Sequence, residues 1–155
     1  KFGVEDDPLS HVYLANAITL AHSAIEELEL EVRGKPPKES GVWNEKSKND
    51  LERRLRSAGV NVDEGQIWTI RGGSTRVAKE HTPPIQQKTD WTAGIVRDRE
   101  VALIEALWSA KTIRNSITTH RFNKKSRSLT VYDAHNVQSL ARRLILEKFG
   151  FWRDD

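Results

Sequence analysis

Apolar residues recur at intervals of three and four along the N-terminal part of the chain, from about Pro8 to Val32. The members of this stripe are Leu14, Ile18, Ala21, Ile25, Leu28 and Val32. The spacing predicts one long amphipathic helix. Its solvent side is predicted to carry four glutamates, Glu26, Glu27, Glu29 and Glu31. Proline is tolerated in a first helical turn, and Gly34 with the Pro36 and Pro37 pair predicts where the helix ends.

A shorter apolar stripe predicts a second helix from about Glu45 to Ala58. Leu51, Leu55 and Ala58 are in helical register. Gly59 follows them, and glycine is the residue that most often terminates a helix.

The segment from 59 to 90 has the least regular pattern in the chain. Gln66 to Arg71 and Ser74 to Val77 flank the glycine pair Gly72 and Gly73. Two short segments around such a pair predict a small β-hairpin within residues 66–77, and a mobile excursion is the alternative.

Helical periodicity returns in a third major helix, predicted from roughly Asp90 to Thr118. Its apolar side is formed by Val96, Leu103, Leu107, Ala110 and Ile117. A basic, turn-rich run from Arg121 to Ser128 follows this helix. Asp133 then offers a good N-cap for a last helix from Ala134 to about Lys148.

The last predicted helix has its own core stripe and a glycine stop. The stripe consists of Val137, Leu140, Ala141, Leu144 and Ile145. Arg142 and Arg143 are predicted to face away from the core, and Gly150 is predicted to end the helix. Apolar stripes on separate helices must be buried against one another. The predicted fold is therefore all-α, a single domain over residues 1–155 built as an antiparallel bundle of about four to five helices.

The composition limits the classes of function that need to be considered. Hydrophobic residues make up 37% and charged residues 30% of the 155 positions, and the formal charge of +3 is only mildly suited to polyanions. With no cysteine there is no disulfide and no thiolate metal site. No apolar run approaches the ~20 residues that span a bilayer, so we expect a cytoplasmic protein with no membrane partner. A chain that begins with Lys1 and contains no methionine is expected to be a fragment of a longer protein or a processed form.

One segment of the third helix combines residues that suit phosphate chemistry. Arg114 continues the apolar register of 103, 107 and 110, so it needs a partner or an opening onto a cleft. His120 follows six residues later, and histidine can exchange a proton near neutral pH. A guanidinium can hold a phosphate and stabilise its added negative charge. With Asn115 as a neighbouring polar group, the segment supplies the minimum for cleaving a ribose phosphodiester.

The order of these features resembles HEPN domains, whose signature is an arginine followed by a polar residue and, after a short gap, a histidine near the end of a late helix. The resemblance covers most of the chain. It implies a helical bundle that forms a homodimer and cleaves RNA without a cofactor or metal, leaving 2′,3′-cyclic phosphate. It also implies that Arg114 and His120 are catalytic and that Asn115 supports them. Many relatives are toxin or antiviral defence effectors with an antitoxin or regulatory domain as partner, and others are inactive interaction modules.

The spacing within the segment bears on how a site could be assembled. Six residues of continuous helix advance ~9 Å and leave two side chains about 120° apart. Either the chain bends before His120 or a second copy completes the site. The simpler interpretation is that Arg114 is a helix-end cation and His120 a cap, in which case the domain is structural. The adjacent basic residues are a solvated loop or an RNA-backbone contact: Arg121, Lys124, Lys125 and Arg127.

The remaining histidines and the tryptophans lie outside the motif segment. His11 and His22 are predicted to be structural or exposed, and His135, in the first turn of the last helix near the basic loop, is an accessory candidate. The other histidines show no metal-ligand spacing: His11, His22, His81 and His135. The tryptophans are expected in the core or at an interface: Trp43, Trp68, Trp91, Trp108 and Trp152. Trp68 is the one to test for stacking on a nucleic-acid base.

Overall fold

A computed structural model describes residues 8–34, 43–63, 67–71, 98–119, 129 and 131–151. Over these residues the chain forms four helices and two short strands. In chain order they are α1 (Pro8–Glu27), α2 (Glu45–Ser57), β1 (Ile67–Ile70), β2 (Arg99–Ala102), α3 (Leu103–Thr119) and α4 (Val131–Lys148). The predicted helical class is confirmed at this level, with a small antiparallel sheet added to it.

The core lies where α1 packs against α4 and α3. The apolar stripes predicted for the helices are largely those that are buried. The central buried side chains are Ile18, Ile25, Leu51, Leu55, Leu107, Val137, Leu140 and Leu144. Burial of these stripes, rather than helix propensity alone, stabilises the bundle.

The first helix is shorter than its periodicity predicts. It ends at Glu27, and Glu29 adopts the left-handed conformation with φ 60°. The Leu30 amide donates to the Ile25 carbonyl and the Glu29 amide donates to the Glu26 carbonyl, a Schellman arrangement that satisfies the last helical carbonyls. The prediction of a helix to Val32, with its stop at Gly34, was therefore wrong. Leu30 and Val32 are buried from a non-helical segment, which we call the 28–34 segment.

Cations from three other helices hold the 28–34 segment. Arg54 of α2 donates to the carbonyls of Glu29 at 2.6 Å and Glu31 at 2.9 Å. Lys111 of α3 donates to the Val32 carbonyl at 2.9 Å. Lys148 of α4 donates to the Leu28 carbonyl at 3.2 Å. Positive groups are favourable here because the C-terminal end of a helix carries a partial negative charge.

The same contacts set the directions of the helices. The Lys148 contact joins the last turn of α4 to the end of α1, so these two C-terminal ends meet. An antiparallel pair would instead place the end of one helix beside the start of the other. The prediction of an antiparallel bundle therefore does not hold for α1 and α4. For α1 and α3 the antiparallel arrangement stays a prediction, because Arg114 reaches Glu26 on α1 whereas Lys111 reaches Val32 beyond its end.

The second helix agrees closely with its predicted bounds. The Asn44 side chain accepts from the amides of Lys46 and Ser47, which caps the start of α2. Ala58 is the C-cap, and Gly59 follows with φ 82°. A positive φ is readily adopted by glycine, so the predicted stop at Gly59 is confirmed.

The strand partner of β1 comes from far along the chain. Ile67 to Ile70 pair antiparallel with Arg99 to Ala102, with Ile70 opposite Arg99. The predicted third helix from Asp90 was therefore wrong on its N-terminal side, where 99–102 form β2 and α3 begins at Leu103. Alternating exposure, with Glu100 outside and Val101 buried, is what a half-buried strand requires. The predicted hairpin partner, residues 74–77, lies outside the described residues.

The end of β1 is fixed by two side chains. Asn136 of α4 accepts from the Arg71 amide at 2.9 Å and donates to the Arg71 carbonyl at 2.8 Å. The Arg71 guanidinium lies 2.6 Å from the Asp98 carboxylate, which precedes β2. The positions on either side of residues 72–97 are therefore held close together at one end of the sheet.

Helix α4 differs from its prediction at two positions. It begins at Val131, so Asp133 is a buried residue of the first turn rather than the N-cap before Ala134. Arg143 does not face solvent as predicted. It is 11% exposed, lies 3.5 Å from the Glu147 carboxylate and stacks over the Trp68 ring at 5.3 Å. Arg142 is exposed, and Gly150 has φ 75° just after the helix, as predicted.

Candidate functional site

Arg114 lies in the last part of α3, where the buried face of the helix gives way to solvent. The residues that precede it on the buried face include Leu107, Ala110 and Ile113. The Arg114 side chain is 32% exposed, so it lies at the edge of the core and not within it. An arginine in this register was predicted to need a partner or an opening. Arg114 has both, because it contacts other side chains and also reaches solvent.

The shorter of the two described contacts of the Arg114 guanidinium is with Glu26 of α1. Its Nη2 atom lies 2.8 Å from Oε1 of Glu26, whose side chain is 37% exposed. Its Nη1 atom donates to Oδ1 of the adjacent Asn115 at 3.2 Å. Glu26 was predicted on the solvent side of the first helix, and instead it lies at the contact between α1 and α3. We call Glu26, Arg114 and Asn115 the Arg114 cluster.

His22 lies directly behind this cluster, one turn before Glu26 on α1. Its Nδ1 atom is 3.1 Å from the same Glu26 oxygen that contacts Arg114. The side chain is only 3% exposed. Burial lowers the pKa of His22 from its ordinary value, Glu26 opposes that shift and the positive charge of Arg114 adds to it. His22 is therefore inaccessible to a large substrate, which fits its predicted structural role.

Lys111 is close in sequence but belongs to a different contact. Its Nζ atom lies 5.6 Å from the centroid of the Trp108 ring and donates to the carbonyl of Val32. Burial lowers the pKa of Lys111, and the neighbouring charge of Arg114 lowers it further. Trp108 itself is buried and meets Trp43 edge-on with the ring centroids 5.2 Å apart. Trp108 is a core residue, and Trp43 is partly buried and packs against the core, in line with the prediction.

The other predicted site residues lie outside the described residues. They are His120, which directly follows the last residue of α3, and the basic residues Arg121, Lys124, Lys125 and Arg127. The structure thus brings Arg114 and Asn115 together with Glu26, and the roles of His120 and the basic run stay predictions.

Trp68 is less suited to base stacking than its position in the sequence indicates. The Arg143 guanidinium lies over its ring at 5.3 Å, and a cation on an aromatic face occupies the surface that a base would use. The same ring borders the packing between β1, α3 and α4. Trp68 therefore joins the sheet to α4 through the face that Arg143 covers, and its stacking on a base stays a prediction.

Two further features bear on ligands. Within the described ranges, no three histidine, aspartate or glutamate side chains come together in a way that could hold a metal ion. An open concavity of about 210 Å³ lies at the ends of α1, α2 and α4, where its lining includes Leu30, Arg53 and Lys148. This concavity is not lined by any member of the Arg114 cluster.

Among the described helices, none is long and apolar enough to cross a membrane.

Comparison with known proteins identifies no relative. No family model matches the chain, and neither a curated protein nor a solved structure matches it. The HEPN resemblance therefore rests on the order of the helices and on the segment from Arg114 to His120.

Proposed function

We propose that the chain is an endoribonuclease that needs no metal and whose site is formed by Arg114 and His120 at the interface of a homodimer. The observation that carries the proposal is the setting of Arg114. Its guanidinium is held by a carboxylate from another helix and still exposes about a third of its side chain to solvent. A guanidinium held in this way can still take a phosphate from the solvent side.

The proposed reaction uses the 2′-hydroxyl of RNA as nucleophile. His120 accepts the proton of this hydroxyl, the 2′ oxygen forms a bond to phosphorus, and the bond from phosphorus to the 5′ oxygen breaks. The departing oxygen takes a proton, so the products end in 2′,3′-cyclic phosphate and 5′-hydroxyl. Arg114 stabilises the extra negative charge that the phosphate carries in the transition state. Arg121, Lys124, Lys125 and Arg127 would contact the RNA backbone.

A second copy supplies what one copy lacks. Six positions separate Arg114 from His120, which in a continuous helix places their side chains about 120° apart. In a twofold dimer, His120 of one copy would act with Arg114 of the other. The same proposal includes a cytoplasmic role in defence or as a toxin, with an antitoxin or regulatory domain restraining the activity.

A catalytically inactive interaction module is the second candidate, favoured by the outer face of α1. Leu9, Tyr13 and Leu20 are exposed on that face. Between Pro8 and Ile25 the sequence contains no aspartate, glutamate, lysine or arginine. A solvent-facing helix usually carries charge, so this uncharged face suits association with another chain. On this view the chain would associate without cutting RNA.

The ribonuclease proposal predicts loss of cleavage when either key residue is removed. His120→Ala and Arg114→Ala should each lower the cleavage rate of labelled RNA by about 100-fold or more, because each removes a group that acts in the transition state. The assay is run in EDTA, and a substrate with 2′-deoxyribose at the cut position serves as the chemical control. Cleavage of the deoxy substrate, or equal cleavage by His120→Ala and wild type, would refute the proposal.

The shared site predicts complementation between two inactive variants. When Arg114→Ala and His120→Ala chains are unfolded, mixed and refolded together, cleavage should return to about a quarter of the wild-type rate, because half of the dimers are mixed and each has one intact site of two. Sedimentation of the same samples checks that dimers form. No recovery from a mixture that is dimeric would contradict a site shared between copies.

A further inference from the structure

We propose that Glu26 of α1 is a positioning residue for Arg114, fixing the guanidinium in the orientation in which it meets the scissile phosphate. The proposal rests on the ribonuclease function proposed above. It goes beyond that function because the sequence pattern placed Glu26 on the solvent side of a helix 88 positions before Arg114.

The guanidinium is held at two points. Glu26 Oε1 lies 2.8 Å from Nη2, and Asn115 Oδ1 lies 3.2 Å from Nη1. Since a guanidinium is planar, contacts at both terminal nitrogens determine the direction in which its plane faces. A flexible arginine is thereby given a defined orientation before any substrate arrives. Defined orientation is the contribution that a charged group in a reaction site most needs from its surroundings.

His22 lies directly behind the Glu26 carboxylate. The two residues are one helical turn apart, and the His22 Nδ1 atom lies 3.1 Å from the Glu26 oxygen that contacts Arg114. The imidazole is buried, so Glu26 lies between a core residue and the partly exposed Arg114. The three side chains therefore form a row from the core to the surface, His22 to Glu26 to Arg114.

The exposed fractions of the two side chains limit what the pair contributes to stability. Arg114 and Glu26 are 32% and 37% exposed. Ion pairs at such positions are partly screened by water and add little to stability. The pair therefore adds little to the stability of the fold, and we assign it the role of orienting Arg114.

The opposite role is also physically reasonable, and it makes the test decisive. A carboxylate bound to an arginine resembles a phosphate bound to it, so Glu26 could instead mask Arg114 from RNA. Positioning predicts that removing the carboxylate slows the reaction. Masking predicts that the same change tightens RNA binding and leaves the reaction as fast or faster.

The experiment compares Glu26→Gln and Glu26→Asp with Glu27→Gln, an exposed neighbouring acid, in the cleavage assay at saturating and limiting RNA. Glu26→Gln should lower kcat by about 10- to 100-fold with a smaller change in KM, because the arginine loses its alignment more than its charge. Glu26→Asp should retain more activity than Glu26→Gln, and Glu27→Gln should match wild type. Thermal melting should give closely similar midpoints for all four proteins, which separates positioning from loss of fold.

The outcomes distinguish this proposal from the function on which it rests. Absence of cleavage by the wild-type dimer refutes the ribonuclease function. Cleavage by wild type that is unchanged in Glu26→Gln refutes only the positioning role. A lower KM with undiminished kcat in Glu26→Gln also overturns positioning, in favour of masking.

Discussion

Leu144→Ala is expected to lower the free energy of unfolding by about 2–5 kcal/mol, the usual cost of deleting a leucine side chain from a close-packed core. Leu144 is fully buried on α4, the helix that packs most extensively against α1. Because whole domains are stable by only ~5–15 kcal/mol, this one change should remove a large part of the total. Urea unfolding followed by circular dichroism measures the effect.

The matched control lies on the same helix. Val131 is 49% exposed at the start of α4, so Val131→Ala should cost under about 1 kcal/mol. The urea concentration at which half of the Leu144→Ala protein is unfolded should fall. The slope of the unfolding free energy against urea concentration should stay the same, because the mutant and the wild type expose similar surface on unfolding. A Leu144→Ala protein as stable as Val131→Ala would show that α4 does not pack on α1 as described.

Arg54→Ala is expected to be the most costly substitution among the charged residues of α2, at about 2–3 kcal/mol of unfolding free energy. The Arg54 side chain is 11% exposed and joins α2 to the 28–34 segment through the Glu29 and Glu31 carbonyls. It also donates to Asp50 at 2.9 Å. Its removal takes away three charge-assisted hydrogen bonds at once, two of which lock the end of α1.

Arg53→Ala is the control, because the two arginines share a partner but differ in surroundings. Arg53 also donates to Asp50, at 2.8 Å, yet its side chain is 70% exposed. The hydrogen bond from Arg54, and to a smaller extent the one from Arg53, lowers the pKa of Asp50 below its ordinary value. Loss of the exposed arginine should change the unfolding free energy by less than about 0.5 kcal/mol. Equal effects in thermal or urea unfolding would mean that the 28–34 segment is not held by Arg54.

Helices with a clear stripe and a clear stop could be predicted from the sequence. The α2 prediction succeeded because Leu51 and Leu55 are in register and Gly59 supplies the left-handed residue that ends the helix. The end of α1 failed for a definable reason. Leu28, Leu30 and Val32 alternate with charged residues, so this short run satisfies a period of two as well as the three-and-four spacing of a helix. The alternation was the available signal for a non-helical segment.

Contacts between distant parts of the chain could not be predicted in the same way. β1 pairs with β2 across residues 71–98, and no local turn signal marks a partner at that distance. Glu26 meets Arg114 because α1 and α3 lie side by side, which depends on how all the helices pack. The pattern indicated that Arg114 needed a partner, but it offered four glutamates near the end of α1 and no means to choose among them. His22, one turn before Glu26, was the one local signal that could have singled it out.

The meeting of the ends of α1, α2 and α4 has a consequence for tracing the ancestry of this chain. The C-terminal ends of three helices each carry a partial negative charge, so they repel one another unless cations lie between them. Here Arg54 and Lys148 supply those cations. Core residues can be exchanged for others of similar volume as sequences diverge, which erodes overall identity. The cations are harder to exchange, because each must reach particular carbonyls. A distant homologue should therefore be recognisable by three features. They are an alternating acidic and apolar run after the first helix, a basic residue late in the second helix and another basic residue in the last turn of the fourth helix.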